Sequence, residues 1–275
     1  MNPHRIHPSN IIELFASQWR NRRLIIELTK RDVLGRYRGS VMGLAWSFFN
    51  PLLMLAVYTF VFSVVFKARW GGDGEDKINF AITLFVGLIV YGLFAECINR
   101  APHVIVSNVN YVKKVVFPLE ILPSVTIGSA LFHAGISLGV LLSAQLLINH
   151  RLPWTVIVFP IILLPLLLAT SGFAWLISAL GVYVRDIAQI TTVFTTVLMF
   201  LSPLFYPISA LPQKYQLWLH LNPLTFIIEE CRNVLIFGNT PNWTDWGIAL
   251  AASMVISAGG FSWFQKTRKG FADVL

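Results

Sequence analysis

Six apolar stretches, parted by short polar segments, carry most of the chain: Val41–Phe66, Ile78–Ile98, Ile121–Ile148, Pro153–Val184, Ile187–Phe205 and Trp246–Phe264. Each is close to or above the ~20 residues that a helix rising 1.5 Å per residue needs to cross ~30 Å of hydrocarbon. The pattern predicts an all-α membrane protein with six spans. Ahead of the first span, "SNIIELFASQWRNRR" offers Asn10 as an N-cap with Glu13 three residues on. Ile11, Phe15 and Trp19 recur every four residues on one face, with Arg20, Arg22 and Arg23 beside them. The reading is an amphipathic helix lying in the interface of an anionic membrane, against the alternative of an ordinary solvated one. Residues 1–40 are thus expected to form an N-terminal interfacial segment and 41–275 the transmembrane domain.

Interruptions in the pattern refine this picture. Asn50-Pro51 predicts a kink or change of direction inside the first span, because proline removes a donor and crowds the preceding turn. Pro160 and Pro165 predict a tilt or break near the start of the fourth. Between the fifth and sixth spans two apolar pieces, Leu211–Leu221 and Leu224–Phe237, are separated by Asn222-Pro223. At ~17 and ~21 Å they are too short to cross twice and suit a re-entrant helical hairpin over 211–237. Such backbone is tolerated in a membrane only where protein or a water-filled path surrounds it. Glu229, Glu230 and Arg232 carry charge into that hairpin, with Glu229 and Arg232 spaced to pair at i,i+3. Functional and structural roles for these charges stand level at this stage.

Composition fits a lipid environment: 56% of the 275 residues are hydrophobic and 12% are Asp, Glu, Lys or Arg, about half the charged fraction of a soluble domain. The net charge of +8 is unevenly placed. With the N-terminus inside, six spans leave 15 of the 21 basic residues on the inner side, which by the positive-inside rule predicts both termini in the cytoplasm. The charge therefore reports topology, and no nucleic-acid partner is expected. The first apolar run lies behind a long basic segment and exceeds a signal-peptide core, so the N-terminus is expected to be retained. Cys97 and Cys231 form neither a metal box nor a disulfide framework and read as packing residues.

Candidate chemistry is sparse. No G-x-x-x-x-G-K-[ST] loop occurs, so the chain cannot hydrolyse ATP by that route. No H-E-x-x-H motif occurs, and no G-x-S-x-G elbow suggests intramembrane hydrolysis. Ionisable groups within the spans are Glu96, near the inner end, and His133, near mid-span, read either as an interhelical hydrogen bond or as a proton relay. Tyr58, Phe62 and Phe66 share one helical face of the first span, and Thr192, Thr195, Thr196, Met199 and Ser202 form a polar stripe on the fifth. Together they would make a polar and aromatic channel wall. Lipid contact for the rings and helix packing for the hydroxyls remain the alternatives. Gly135-x-x-x-Gly139, and Ala249 with Ser253 and Ser257, allow close helix approach within a subunit or between subunits.

Three motifs carry a family resemblance. "LTKRDVLGRYRGSVMGLAWSFFNPL" resembles the N-terminal signature of ABC-2 type permeases, in the branch exporting O-antigen, capsular polysaccharide and teichoic acid. "GVYVRDIAQI" followed by "MFLSPLFYPIS" resembles that family's inner loop and fifth span, and "NPLTFIIEECRNVLIFG" its outer re-entrant segment. The likeness covers nearly the whole chain. It implies a permease subunit of the bacterial inner membrane that is not itself an enzyme, forms a homodimer, and pairs with two copies of a separate nucleotide-binding subunit holding ATP and Mg. The cargo it implies is a lipid-linked polysaccharide. By position, Trp19, Arg22, Arg23, Lys113, Lys114, Arg185 and Asp186 become candidates for coupling to that ATPase, and Asn222, Pro223, Glu229, Glu230 and Arg232 for an outer gate. Three alternatives remain: export of a small drug or lipid, a scaffold that merely anchors an ATPase, and a membrane-bound glycosyl- or acyltransferase using His220, Glu229 and Glu230.

Overall fold

The apolar stretches fold as helices. The structure, a computed structural model, describes residues 11–61, 77–113, 117–220 and 222–275, and among these there is no strand. In chain order the helices are α1 (Ile11–Arg20), α2 (Arg22–Arg36), α3 (Trp46–Tyr58), α4 (Lys77–Val106), α5 (Val109–Lys113), α6 (Leu122–Asn149), α7 (Phe159–Ile162), α8 (Leu164–Tyr183), α9 (Ile187–Leu201), α10 (Gln213–His220), α11 (Pro223–Arg232), α12 (Trp243–Thr267) and α13 (Phe271–Val274). Among the described residues five helical stretches are long and apolar enough to cross a membrane: Gly43–Val61, Phe80–Val106, Leu119–Asn149, Trp154–Tyr183 and Trp243–Val274. The remaining apolar helix, α9, has 15 residues, or about 22 Å.

Differences from the expected boundaries have local causes. α3 runs through Pro51 without a break, and the chain turns upstream instead, at Gly39 and Gly43, whose φ values of +84° and +52° need no Cβ. The fourth stretch is broken as its prolines predict: a 3₁₀ turn over Trp154–Val158, then α7, then α8 with Pro165 in its first turn. α9 stops at Leu201, four residues before the expected end, because Ser202 is extended and Pro203 follows. α4 runs eight residues beyond Ile98, to Val106.

α4 is the central helix. Its apolar window is 72% buried, against 11% for that of α3. Ile82, Phe85, Ile89, Leu93, Cys97 and Ile98 of α4 lie in a core shared with α6, α8 and α11. A second core closes the end of the bundle where the termini meet, with Leu14 of α1, Trp175 of α8, Phe261 and Phe264 of α12, and Phe271 of α13. α8 and α12 touch backbone to backbone, since a Cβ on Gly260 would lie 2.0 Å from the Gly172 carbonyl oxygen. Ser257 stands 3.1 Å from Ser171 across the same contact, so this small-residue set packs within the subunit. Gly135 and Gly139 face open space. Both cysteines are buried and free.

Candidate functional site

Three polar junctions organise the molecule. The first joins α2 to α4 and α6. Leu28 packs with Val125, Asp32 accepts from Ser129, and Arg36 reaches His133, so α2 climbs alongside α6 in steps of four residues. Both Asp32 carboxylate oxygens also accept from Arg100 Nη2, each at 2.8 Å. One turn further, Arg36 pairs with Glu96, and His133 Nδ1 lies 3.2 Å from Arg36 Nη1 and 3.5 Å from Glu96 Oε2. The Tyr37 hydroxyl stands 3.0 Å from His133 Nε2. Burial pushes the Tyr37 phenol above its ordinary range, opposed by Arg36 and helped by Glu96, so it stays a neutral hydrogen-bonding group. Charges in apolar spans persist when paired in this way.

The second junction ties α11 to the bundle. Asn222 caps α11, accepting from the Leu224 N–H at 3.0 Å, and its Nδ2 donates to Ser202 Oγ at 2.9 Å. Arg232 is fully buried at the other end of α11. Its Nε donates to the Thr83 carbonyl at 3.1 Å, Nη1 to Pro203 O and to Glu229 Oε1, both at 2.7 Å, and Nη2 to Leu204 O at 3.1 Å. One guanidinium thus joins α11, α4 and the break after α9. Gly87 makes room for it, since a Cβ there would stand 2.9 Å from Nη2. Glu230 accepts from Asn233 and from the Asn242 N–H, both at 3.2 Å.

At the terminus-bearing end, Glu120 accepts from Ser17 Oγ of α1 at 2.9 Å and from Arg268 at 2.8 Å, while its carbonyl accepts from Trp175 Nε1 at 2.8 Å. α1 is held by this bond and by Leu14. Its predicted apolar face, Ile11, Phe15 and Trp19, is exposed. Arg22 stacks on Trp19 with 4.7 Å to the ring centroid. Glu13 pairs with Arg20 at 2.8 Å, while Asn10 lies outside the described residues.

The other sequence candidates scatter. Thr195 and Ser202 are buried, Thr195 donating to Asn99 Oδ1 at 3.1 Å. Thr192 and Thr196 are exposed but return their hydroxyls to the carbonyls of Ala188 and Thr192. Met199 and Tyr58 pack on the main core. Phe62, Phe66 and Lys114 lie outside the described residues, as does the side chain of His220. Arg23, Lys113, Arg185 and Asp186 are exposed. Among the described residues no cluster of His, Cys, Asp or Glu is arranged to hold a metal.

The sequence profile of the ABC-2 type transporter matches residues 23–236, from early α2 to the end of the hairpin. The chain belongs to the ABC-2 type transporter family. It is similar to the O-antigen export system permease protein RfbA of Myxococcus xanthus, 28% identical over 265 residues that cover 96% of this chain and 99% of that protein. An O-antigen export system permease protein RfbA of Klebsiella pneumoniae is 25% identical over 254 residues, covering 92% and 95%. The polysialic acid transport protein KpsM of Escherichia coli is 19% identical over 232 residues, covering 80% and 82%. What the sequence reading missed in this ABC-2 chain is the partnership of Asp32, Arg36 and Tyr37 with Arg100, Glu96, Ser129 and His133. The available signal was the pair Glu96 and His133: ionisable groups in apolar spans require partners, and the charge-rich segment 30–38 could supply them.

Proposed function

We propose that this chain is the channel-forming subunit of an ATP-driven exporter moving a lipid-linked polysaccharide, O-antigen or similar, from the cytoplasmic to the outer face of a bacterial inner membrane. The observation that carries the reading is end-to-end similarity to O-antigen export permeases, 96% of this chain against 99% of the relative. Six crossings with both termini inside agree with the excess of basic residues on that side. In this arrangement the fifth crossing is α9 extended by the segment after Leu201. Arg232 meets α4 at Thr83 and Gly87, one to two turns inside an apolar window, as a re-entrant hairpin requires. Two copies form the pathway, with α3 and α9 facing it. The exposed Thr192, Thr196, Trp46 and Phe48 supply hydroxyls and rings to a passing glycan.

ATP and Mg belong to two separate ABC subunits, which press on α1, α5 and the 184–186 connection. Arg185 and Asp186 are exposed there with no side-chain partner among the described residues, so their replacement leaves the fold intact. Arg185→Ala with Asp186→Ala is expected to lower export at least tenfold while ATP hydrolysis by the complex persists. Unchanged export per ATP would remove that connection from the coupling path.

The reading itself is tested by deleting the gene and locating the polymer. Loss of surface polysaccharide with accumulation of the lipid-linked form inside supports export. Normal surface polymer indicates a small cargo instead, and loss without accumulation indicates synthesis by a membrane-bound transferase.

A further inference from the structure

Where α2 ends, three polar side chains close on the His133 ring, and their geometry fixes where its hydrogen lies. Arg36 Nη1 stands 3.2 Å from His133 Nδ1. A guanidinium donates and has no acceptor, so Nδ1 must present its lone pair. The ring hydrogen is then on Nε2, which donates to the Tyr37 hydroxyl at 3.0 Å. Both ring nitrogens are thereby committed, and the form they commit to is the neutral imidazole. A second proton can enter only at Nδ1, against the Arg36 N–H. Glu96 Oε2 lies 3.5 Å from the same nitrogen, too far for a good hydrogen bond to it but placed to accept from a protonated ring.

Charge balance sets the direction of the response. Around the ring stand Asp32 and Arg36 from α2 and Glu96 and Arg100 from α4, two carboxylates and two cations joined by ion pairs. The other elements packed on α6 bring no charge to it. α3 has no charged residue and its Tyr58 lies against the main core, α8 offers only Tyr183, bonded to Thr267, and Glu120 before α6 is held by Ser17 and Arg268. With the ring neutral the four charges cancel, and a proton on it sets a third cation against two carboxylates. Arg36 is the cation that leaves. It is the one in contact with the ring, its side chain is 37% exposed, and Arg100 stays bound to both oxygens of Asp32. We infer that His133 is a proton-binding site that unfastens the end of α2: protonation of the ring passes Glu96 from Arg36 to His133 and turns Arg36 out to solvent. The chain beyond Tyr37 is built to follow, since it passes Gly39 and Gly43, both at positive φ, before α3 begins. The proton binds the released arrangement more tightly than the fastened one, so a falling pH shifts the population towards release. The latch belongs to the subunit itself and is independent of its cargo.

The test places a nitroxide on Gly35→Cys, where a Cβ meets nothing within 4 Å, in the full chain in phosphatidylcholine nanodiscs. Cys97 and Cys231 are buried, which leaves the exposed thiol as the labelling site. Label mobility is read by electron paramagnetic resonance between about pH 8 and about pH 5, the range in which imidazole titrates. Expected is a severalfold, reversible rise in mobility on acidification. His133→Gln keeps an oxygen to accept from Arg36 and cannot titrate, so its label should stay ordered throughout. Arg36→Gln should be mobile at both ends of the range. A parent label whose mobility ignores pH overturns the proposal without recourse to any variant. An unchanged transition in His133→Gln also overturns it, by assigning the transition to another group. Nitrogen NMR of the histidine-labelled parent gives a second reading, with His133 assigned through its ring contact with Tyr37. The ring is expected as the Nε2–H tautomer while the label is ordered and as imidazolium once it is mobile. A ring that stays neutral through the release, or is already charged before it, removes His133 as the proton site.

Discussion

Arg232→Ala is expected to unseat the hairpin and to lower the thermal midpoint of the purified protein by roughly 10 °C. The substitution strips partners from three buried carbonyls, Thr83, Pro203 and Leu204, and from the Glu229 carboxylate. Removing one member of a buried ion pair costs about 3–5 kcal/mol, and each kcal/mol shifts the midpoint of a chain of this size by about 2–4 °C. Lysine does not substitute, because a single ammonium cannot span carbonyls on two segments and a carboxylate on a third. Glu229→Gln keeps the three carbonyl bonds but removes the anion paired with the buried guanidinium, so a loss towards the lower end of that range, about 3 kcal/mol, is expected. Gly87→Val should imitate Arg232→Ala from the other side, its Cβ standing 2.9 Å from both Nη2 and Leu204 Cδ2. Differential scanning fluorimetry in detergent decides the point, and an Arg232→Ala protein melting with the parent would show that the clamp bears no weight. In the export reading proposed above, export is expected to fall with stability, since α11 would no longer be tied to α4.

The elements of this fold that are legible in sequence share one property: their signals are local. Span lengths, the proline break before α8, the Asn222-Pro223 division of the hairpin and the Glu229–Arg232 spacing all depend on residues within a turn or two of each other. The helix of α3 passing straight through Pro51 shows the limit of that logic. A proline in the second turn forfeits one hydrogen bond, and the two left-handed glycines just upstream already supply the turn. What sequence did not disclose is the long-range pairing. Ser17 meets Glu120 across 103 residues and Arg36 meets Glu96 across 60, and neither partner advertises the other. The expectation of an interfacial segment over residues 1–40 named no partners for it within the bundle, yet Asp32 pairs with Arg100, Arg36 with Glu96, and Tyr37 bonds His133. The threonine stripe on α9 divides similarly. Helical spacing puts Thr195 and Thr196 side by side, but α4, distant in sequence, covers the first, Asn99 and Tyr91 both bonding Thr195, and leaves the second exposed.

Glu120→Ala is expected to free α1 from the bundle, and in the export reading proposed above this second large effect bears on coupling. Glu120 is 6% exposed and bonds two segments from opposite ends of the chain, Ser17 of α1 and Arg268 after α12. Without the carboxylate, Arg268 retains Gln265 Oε1 at 3.1 Å as its acceptor among the described residues, and a buried cation left short of an anion costs about 3–5 kcal/mol. The Ser17 bond accounts for about 1 kcal/mol of the total, so Ser17→Ala should show the same symptom more weakly. Trypsin supplies the readout, because Arg20, Arg22 and Arg23 are exposed but held in helix, and cleavage requires local opening. Cleavage in this segment should quicken tenfold or more in Glu120→Ala and by a few-fold in Ser17→Ala. A paired Glu120→Gln, Arg268→Met change removes both charges and should recover most of the thermal midpoint, as replacing a buried pair outright does. It should not recover full protection of α1, whose hydroxyl then meets a neutral amide. If Glu120→Ala leaves both the tryptic rate and the midpoint unchanged, α1 is held by Leu14 and its hydrophobic neighbours alone. A motor pressing on α1 would then reach the bundle through packing, and the charge at Glu120 would have no part in the stroke.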